Sequence, residues 1–364
     1  MRIMKAIKVG LIVLSLILIA SAQVSAEKIF SISENSFETA ERRMVIAPEL
    51  FAGTTEFIFE SSTALRGRVE IFSSNREEIE IIYHKVLFAE TRQQADSFAQ
   101  IISLNYEVSS NSLVLNASAP RNAPWRKSAN LSGQIECEIY IPENYTINVD
   151  LAGYYLNIRG PFPEAEIVVS YCDEVRISRI ELGLKLSSAN SSINLKDING
   201  PALVKSEGGN ISARNIDSGL GIASFENKGG AISVIGFTGD ELHCEAEEGK
   251  INLEKIRLIN NARAYISNSG INSDIYVDVE EIIDSHLEVF NKTADIQFLL
   301  PRDISASFEI STDPDVGEIE VNGVPLVTEE VEWGSLIAHT PKHHSTIVAD
   351  TRGRGKINLR RKDF

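Results

Sequence analysis

Three histidines, His339, His343 and His344, stand within six residues of one another. With an acidic neighbour, imidazoles so placed are a donor set that zinc or copper accepts. Read the other way, they belong to a solvated loop, and they are the metal candidates the spacing offers. His84, His243 and His286 are isolated. Acidic pairs such as Asp173 with Glu174 and Asp240 with Glu241 are adjacent in the chain, so in a strand their side chains point to opposite faces. The segment DPDVGE (313 to 318) has the look of a calcium loop but lacks the third acid and the spacing such a loop needs. Pro314 and Gly317 read there as a β-turn. No Gly-x-Ser-x-Gly elbow, phosphate-binding loop, His-Glu-x-x-His or paired Cys-x-x-Cys is present. No catalytic residue and no cofactor follows from these residues. An enzyme acting on polysaccharides would need three or more acidic or basic side chains converging in one groove.

Charge narrows the partners. The formal net charge is −16 over 364 residues, and removing residues 1 to 26, with three cations and no acid, takes it to −19. A chain this acidic repels phosphate, which argues against nucleic acid. Those first residues read as a signal peptide: Arg2, Lys5 and Lys8, the apolar run VGLIVLSLILIA, then small residues, with cleavage after Ala26. The alternative is an uncleaved anchor, although the run is short for a membrane span. The expectation is an exported chain, periplasmic or extracellular, with no stable membrane insertion once the leader is removed. Of three cysteines, Cys137 and Cys244 alternate with apolar neighbours and read as buried thiols, while Cys172 falls in a turn. A Cys137–Cys172 disulfide stays open.

What must position any site is a repeat. Val204 and Ile211 are seven residues apart, as are Val149 and Leu156, Val168 and Val175, Leu186 and Ile193, Phe225 and Ile232, Cys244 and Ile251, and Val289 and Ile296. Ile266 and Ile275, Ile310 and Ile319, and Val348 and Ile357 are nine apart. The second member of each pair recurs about every twenty residues, with apolar partners two positions on, as in a strand with one buried face. A unit so short cannot bury its own apolar side and must stack on its neighbours. The fold class predicted is all-β, a single-stranded β-solenoid of coils of about twenty residues, preceded by a small β-rich domain with one helix. An antiparallel sandwich is the alternative; its tight hairpins would favour two-residue Asn-Gly or Asp-Gly turns, which are nearly absent.

The corners have a pattern of their own. Ser170, Ser188, Ser206, Asn227, Ala246, Asn268, Asn291 and Thr312 follow the first anchor by two residues. Stacked, they could bond the turns and each other, or they could be exposed polar turns. Glycines at 208, 209, 229, 230, 249 and 270 are read as supplying positive φ at the bends. Residues 27 to 130 depart from the repeat. They contain alternating strands, a helix from Thr91 to Ile102 opened by a Thr91/Gln94 capping box, and a hairpin at Ser109 to Ser112. The domain reading is 1–26 signal peptide, 27–130 N-terminal domain covering one end of the stack, 131–326 repeat, and 327–364 an irregular excursion with a final coil and basic tail.

The series NSSINL, GGNISA, GGAISV, EGKINL and RGKINL, with IPENYTINVDL (141 to 151), resembles the bacterial putative-adhesin family of exported β-strand-repeat proteins. Members' Ser-Gly-Asp triplets are here Ser-Ser, Gly-Asn or Gly-Lys. The resemblance implies a β-solenoid that binds at a surface and carries no catalytic residues over to this sequence. The partner expected is an unknown surface protein or glycan. Two other readings remain: a polysaccharide-active lyase or hydrolase, and a periplasmic envelope scaffold.

Overall fold

The computed structural model describes residues 27 to 363; the expected signal peptide and its cleavage after Ala26 lie outside them. The described chain is mostly β-strand with one α-helix, in an extended sheet. None of its helices is long and apolar enough to cross a membrane.

One repeat shows how the rest is built. The strand Ala202–Ser206 ends in a corner, and Ile211–Asp217 follows. These two strands do not pair with each other. Ala202–Ser206 lies in parallel between Glu174–Ala189 and Ile222–Asn227, and Ile211–Asp217 lies in parallel between Ser192–Asn199 and Ile232–Thr238. Successive strands thus alternate between two ladders whose buried side chains form one continuous core.

In the second ladder, Leu156, Val175, Ile193, Ile211, Ile232, Ile251, Ile275, Ile296 and Ile357 stand in register, as the repeat predicts. In the first ladder, two expected anchors are displaced by one residue. The aligned residues are Ile167, Leu186, Val204, Phe225, Cys244, Ile266, Val289 and Ala349. Val168 is 49% exposed and Val348 half-buried. The run Ile167-Val168-Val169 is aliphatic throughout, so alternation could not tell its faces apart, and the corner after it holds one residue more.

The buried residues of the second ladder are not spaced evenly by two either. Ile193 and Leu195 are followed by Ile198, and Ile232 and Val234 by Phe237, all buried. The extra residue sits in a left-handed kink at Arg179, Asp197, Asn215, Gly236 and Lys255, with φ between 55° and 76°. Each kink re-aims the strand so that a third side chain reaches the core.

The corners resolve in favour of a buried polar ladder, bonded to turns rather than side chain to side chain. Asn268 is fully buried; its Nδ2 donates to Gly249 O (2.8 Å) in the preceding layer and Ser273 O (3.1 Å) in its own, while Gly270 N donates to its Oδ1 (2.9 Å). Asn227 and Asn291 do the same with Gly209 and Ala231, and with Ser273 and Asp295. Val169, not Ser170, is the residue in register with Ser188. Of the six corner glycines, only Gly209 and Gly249 have positive φ. Gly230 is needed for proximity instead: a Cβ there would lie 2.1 Å from Gly209 O.

Both ends of the stack are threaded out of chain order. Glu56–Ser61 lies between Ser112–Ser118 and Thr146–Ala152, and Arg66–Ser74 between Ser132–Pro142 and Tyr154–Ser170. At the other end, Ser345–Thr351 lies between His286–Asn291 and Ala306–Ser311, and Lys356–Arg361 between Ile296–Leu300 and Glu318–Asn322. The ladders therefore begin before residue 131, and strands from both sides of residue 130 alternate within them. Twelve layers result, about 50 to 60 Å at the usual strand spacing.

Beyond the outermost layers the pairing turns antiparallel. Ile79–Phe88 pairs with Ser132–Pro142 and carries Ser36–Thr39 and Arg42–Ile46 on its other edge. The helix Arg92–Ile101 lies against Ile79–Phe88 and buries Ala95, Phe98 and Ala99. Its cap is as predicted: Gln94 N donates to Thr91 Oγ1 (3.2 Å), with Gln94 Oε1 taking Glu90 N (2.8 Å).

Candidate functional site

Because inward positions are taken by the core and the asparagine corners, chemistry is left to the outward ones. On the first ladder two outward rows flank the corner. One runs Val168, Ser187, Lys205, Glu226, Glu245, Ser267, and the other Ser170, Ala189, Glu207, Lys228, Glu247, Ser269; between them lies a half-open groove of about 650 Å³. At its middle, Lys205 pairs with Glu226 (2.9 Å) and Lys228 with Glu207 (3.5 Å). The polarity of the rows is opposite, so the two pairs form a square of alternating charge. Small side chains at Ser187 and Ala189 open the groove on one side of that square, and Ser267 and Ser269 open it on the other.

The second ladder gathers a different set. Arg68 and Glu70, His84, and Glu136 and Glu138 come from three neighbouring strands, and with Glu41 they border a cavity of about 260 Å³. Arg68 Nε donates to Glu70 Oε2 (2.9 Å), and Asn157 Nδ2 donates to Glu70 Oε1 (3.0 Å). Partial burial pushes the Glu70 carboxyl up, but the bonds from Arg68 and Asn157 and the guanidiniums of Arg68 and Arg176 outweigh it, leaving it below the usual range. His84 Nε2 is 3.8 Å from Glu136 Oε2. Tyr155 stands between the guanidiniums of Arg68 (4.8 Å) and Arg176 (5.7 Å), so no bare aromatic platform faces outward there.

This cluster is what the sequence reading missed. Its residues lie up to 70 positions apart and meet through the threading of Arg66–Ser74 between its neighbours. The legible signal was charge at every second residue, Arg68/Glu70 and Glu136/Glu138, which puts both groups on one face of a strand. Adjacent acids such as Asp173 and Glu174 were the wrong spacing to search.

The histidines are only partly brought together. The His339 and His343 rings are 4.6 Å apart, His339 Nδ1 donates to Thr340 O (2.8 Å), and its Nε2 is 3.5 Å from Glu329 Oε1. His344 borders a separate cavity with Lys342 and Arg257. Among the described residues, no group of three His, Cys, Asp or Glu side chains is placed to hold a metal ion. Cys137, Cys172 and Cys244 are free and buried, and burial pushes all three thiols up, away from the reactive thiolate.

No family model matches this chain, and no curated protein does. Two solved structures align with it. One is a putative cell adhesion protein from Clostridium sporogenes ATCC 15579, at 12% identity, covering 88% of this chain and 99% of that one, with a TM-score of 0.20. The other is a putative adhesin from Parabacteroides merdae ATCC 43184, at 10% identity, covering 88% and 95%, with a TM-score of 0.36. Likenesses at these scores decide nothing about fold or function, which rest here on the strand pairing and the outward residues.

Proposed function

We propose that this chain is an exported, non-enzymatic binding or structural protein: a single-stranded β-solenoid that presents its lateral face to a surface protein or glycan. The two ladders, with corners that join one to the other, support the solenoid. The repeat's resemblance supports the adhesive role. The observation that carries the binding reading is the groove on the first ladder, where outward small residues and a square of alternating charge leave a channel across several layers. The test is a glycan array and a surface-protein pull-down with residues 27 to 364, repeated with Ser187→Trp. Ser187 is exposed, so the indole fills the groove without touching the core. Loss of captured ligand in the variant is expected; equal capture by both proteins would sink the assignment to this groove.

A second reading is favoured by the cluster around Glu70, since more than three acidic or basic groups converge there. It would make the protein a polysaccharide lyase or hydrolase. The electrostatics run against it. Glu70 is held low, the wrong direction for a general acid, and Arg68 is committed to Glu70 rather than free to neutralise a uronate. Turnover of an acidic polysaccharide that disappears in Glu136→Gln would establish this reading over the first.

A further inference from the structure

The end of the stack carrying residues 313 to 344 is unfinished in a specific way. Ser335–His339 pairs antiparallel with Ala306–Ser311, and Val327–Glu332 pairs antiparallel with Ser335–His339. On the second ladder no described strand lies beyond Glu318–Asn322. The first ladder thus overhangs by two strands. Val331 stands opposite Leu336, which is buried, yet Val331 is 70% exposed; all six residues of Val327–Glu332 are exposed, and Trp333 beside them is 87% exposed. Among the described residues, the strand's outer edge has no hydrogen-bonding neighbour.

Charge says what could approach that edge. Residues 313 to 332 contain seven acids and no base. Glu318 and Glu320 are met by Lys356, and Glu329 by His339, while among the described residues no ion pair holds Glu330 or Glu332. A second copy stacking head to tail with its first ladder in line would bring Ser103–Val108, which has one acid and no base, to this edge, and so offers the glutamates no cation. We propose that the open edge of Val327–Glu332 receives an extended segment of a partner protein, basic and apolar in alternation, as an added strand. Main-chain pairing supplies the register, Val331 and Trp333 supply apolar contact, and the unpaired glutamates select cations. The opposing idea is that the acids only keep edges apart.

The proposal is independent of the lateral groove. Its test uses residues 27 to 364 and a blocked eight-residue peptide of alternating lysine and valine. Controls are the glutamate–valine counterpart and a lysine–valine peptide interrupted by proline. Trp333 reports binding, because the other tryptophan, Trp125, is buried. The expected result is a blue shift with the lysine–valine peptide that is absent in Trp333→Phe. Affinity should fall at least tenfold when Glu329, Glu330 and Glu332 are changed together to Gln, and should be unchanged in Ser187→Phe, which fills the groove without adding an exposed indole. An unchanged Trp333 spectrum, or equal binding by the proline peptide or the glutamine variant, overturns the proposal. So does self-association of the glutamine variant when the wild type binds no peptide, which would establish the acids as a guard.

Discussion

The two ends of the stack solve one problem in opposite ways. At the end that carries residues 27 to 130, the second ladder overhangs, and the helix Arg92–Ile101 is laid across the overhang with Phe98 against Trp125 at 5.0 Å. Trp125 in turn donates from Nε1 to Ala64 O (2.8 Å), tying the loop 119 to 130 to the layer beneath. At the other end, the first ladder overhangs and no described helix covers it; the last strand carries carboxylates at Glu329, Glu330 and Glu332. Both ends also interleave an early or late layer between others, so neither can peel away without breaking pairs on two sides. The covered end is therefore part of the fold's stability, while the bare end is part of its surface.

The largest expected effect tests that contrast directly. Phe98→Ala should cost about 3–5 kcal/mol, the range for removing a fully buried aromatic ring, whereas Val331→Ala should change stability by no more than about 0.5 kcal/mol. Urea unfolding of the two variants reads both. Comparable losses at the two ends would break the comparison.

The middle of the stack sets the scale between them. Asn268→Ala strands Gly249 O, Ser273 O and Gly270 N in a buried corner, at about 1–3 kcal/mol for each group left unsatisfied. Ser188 occupies the equivalent position four layers earlier, and its buried Oγ already has no hydrogen-bond partner. Ser188→Ala should therefore be neutral or slightly stabilising by the same measurement. Equal losses from both would mean that corner packing, not hydrogen bonding, is what the ladder contributes.

How far the sequence disclosed this follows from the range of each interaction. The second-ladder anchors from Leu156 to Ile296 were legible because one aliphatic residue recurs about every twenty residues, with an apolar partner two positions on. The helix was legible because its cap is local. Val168 was misplaced because three aliphatics in a row carry no phase. The kinks at Arg179 and Lys255 had no local signal, since neither residue type favours φ near 60°. The threading at both ends, and with it the cluster around Glu70, depends on pairing between strands tens of residues apart. Acids at adjacent positions point to opposite faces of a strand, whereas the groups that meet sit at every second residue. The groove between Ser187 and Ala189 needed the register of six strands before its rows could be seen at all.

The smallest effect is electrostatic and belongs to the covered end. Lys85, on the strand beneath the helix, is buried with Nζ donating to Glu27 (2.8 and 3.0 Å) and to Ala99 O (2.7 Å) at the helix's last turn. Burial lowers its pKa from the ordinary 10.5, and the attraction of Glu27 only partly opposes this. Between the folded and unfolded values the unfolded chain then binds more protons than the folded one, so stability should rise with pH in that window. Below the folded value, the cost of burying the charge is present in full. The slope attributable to one proton cannot exceed about 1.4 kcal/mol per pH unit. Urea unfolding from pH 8 to 10.5, wild type against Lys85→Met, isolates it. The wild type should gain on the variant as pH rises, and a wild type that instead loses stability would show that the ion pair with Glu27 dominates desolvation. The bare end has no counterpart to this term, because its acids stay in water. An equal pH slope in Lys85→Met would therefore place the titration elsewhere in the stack.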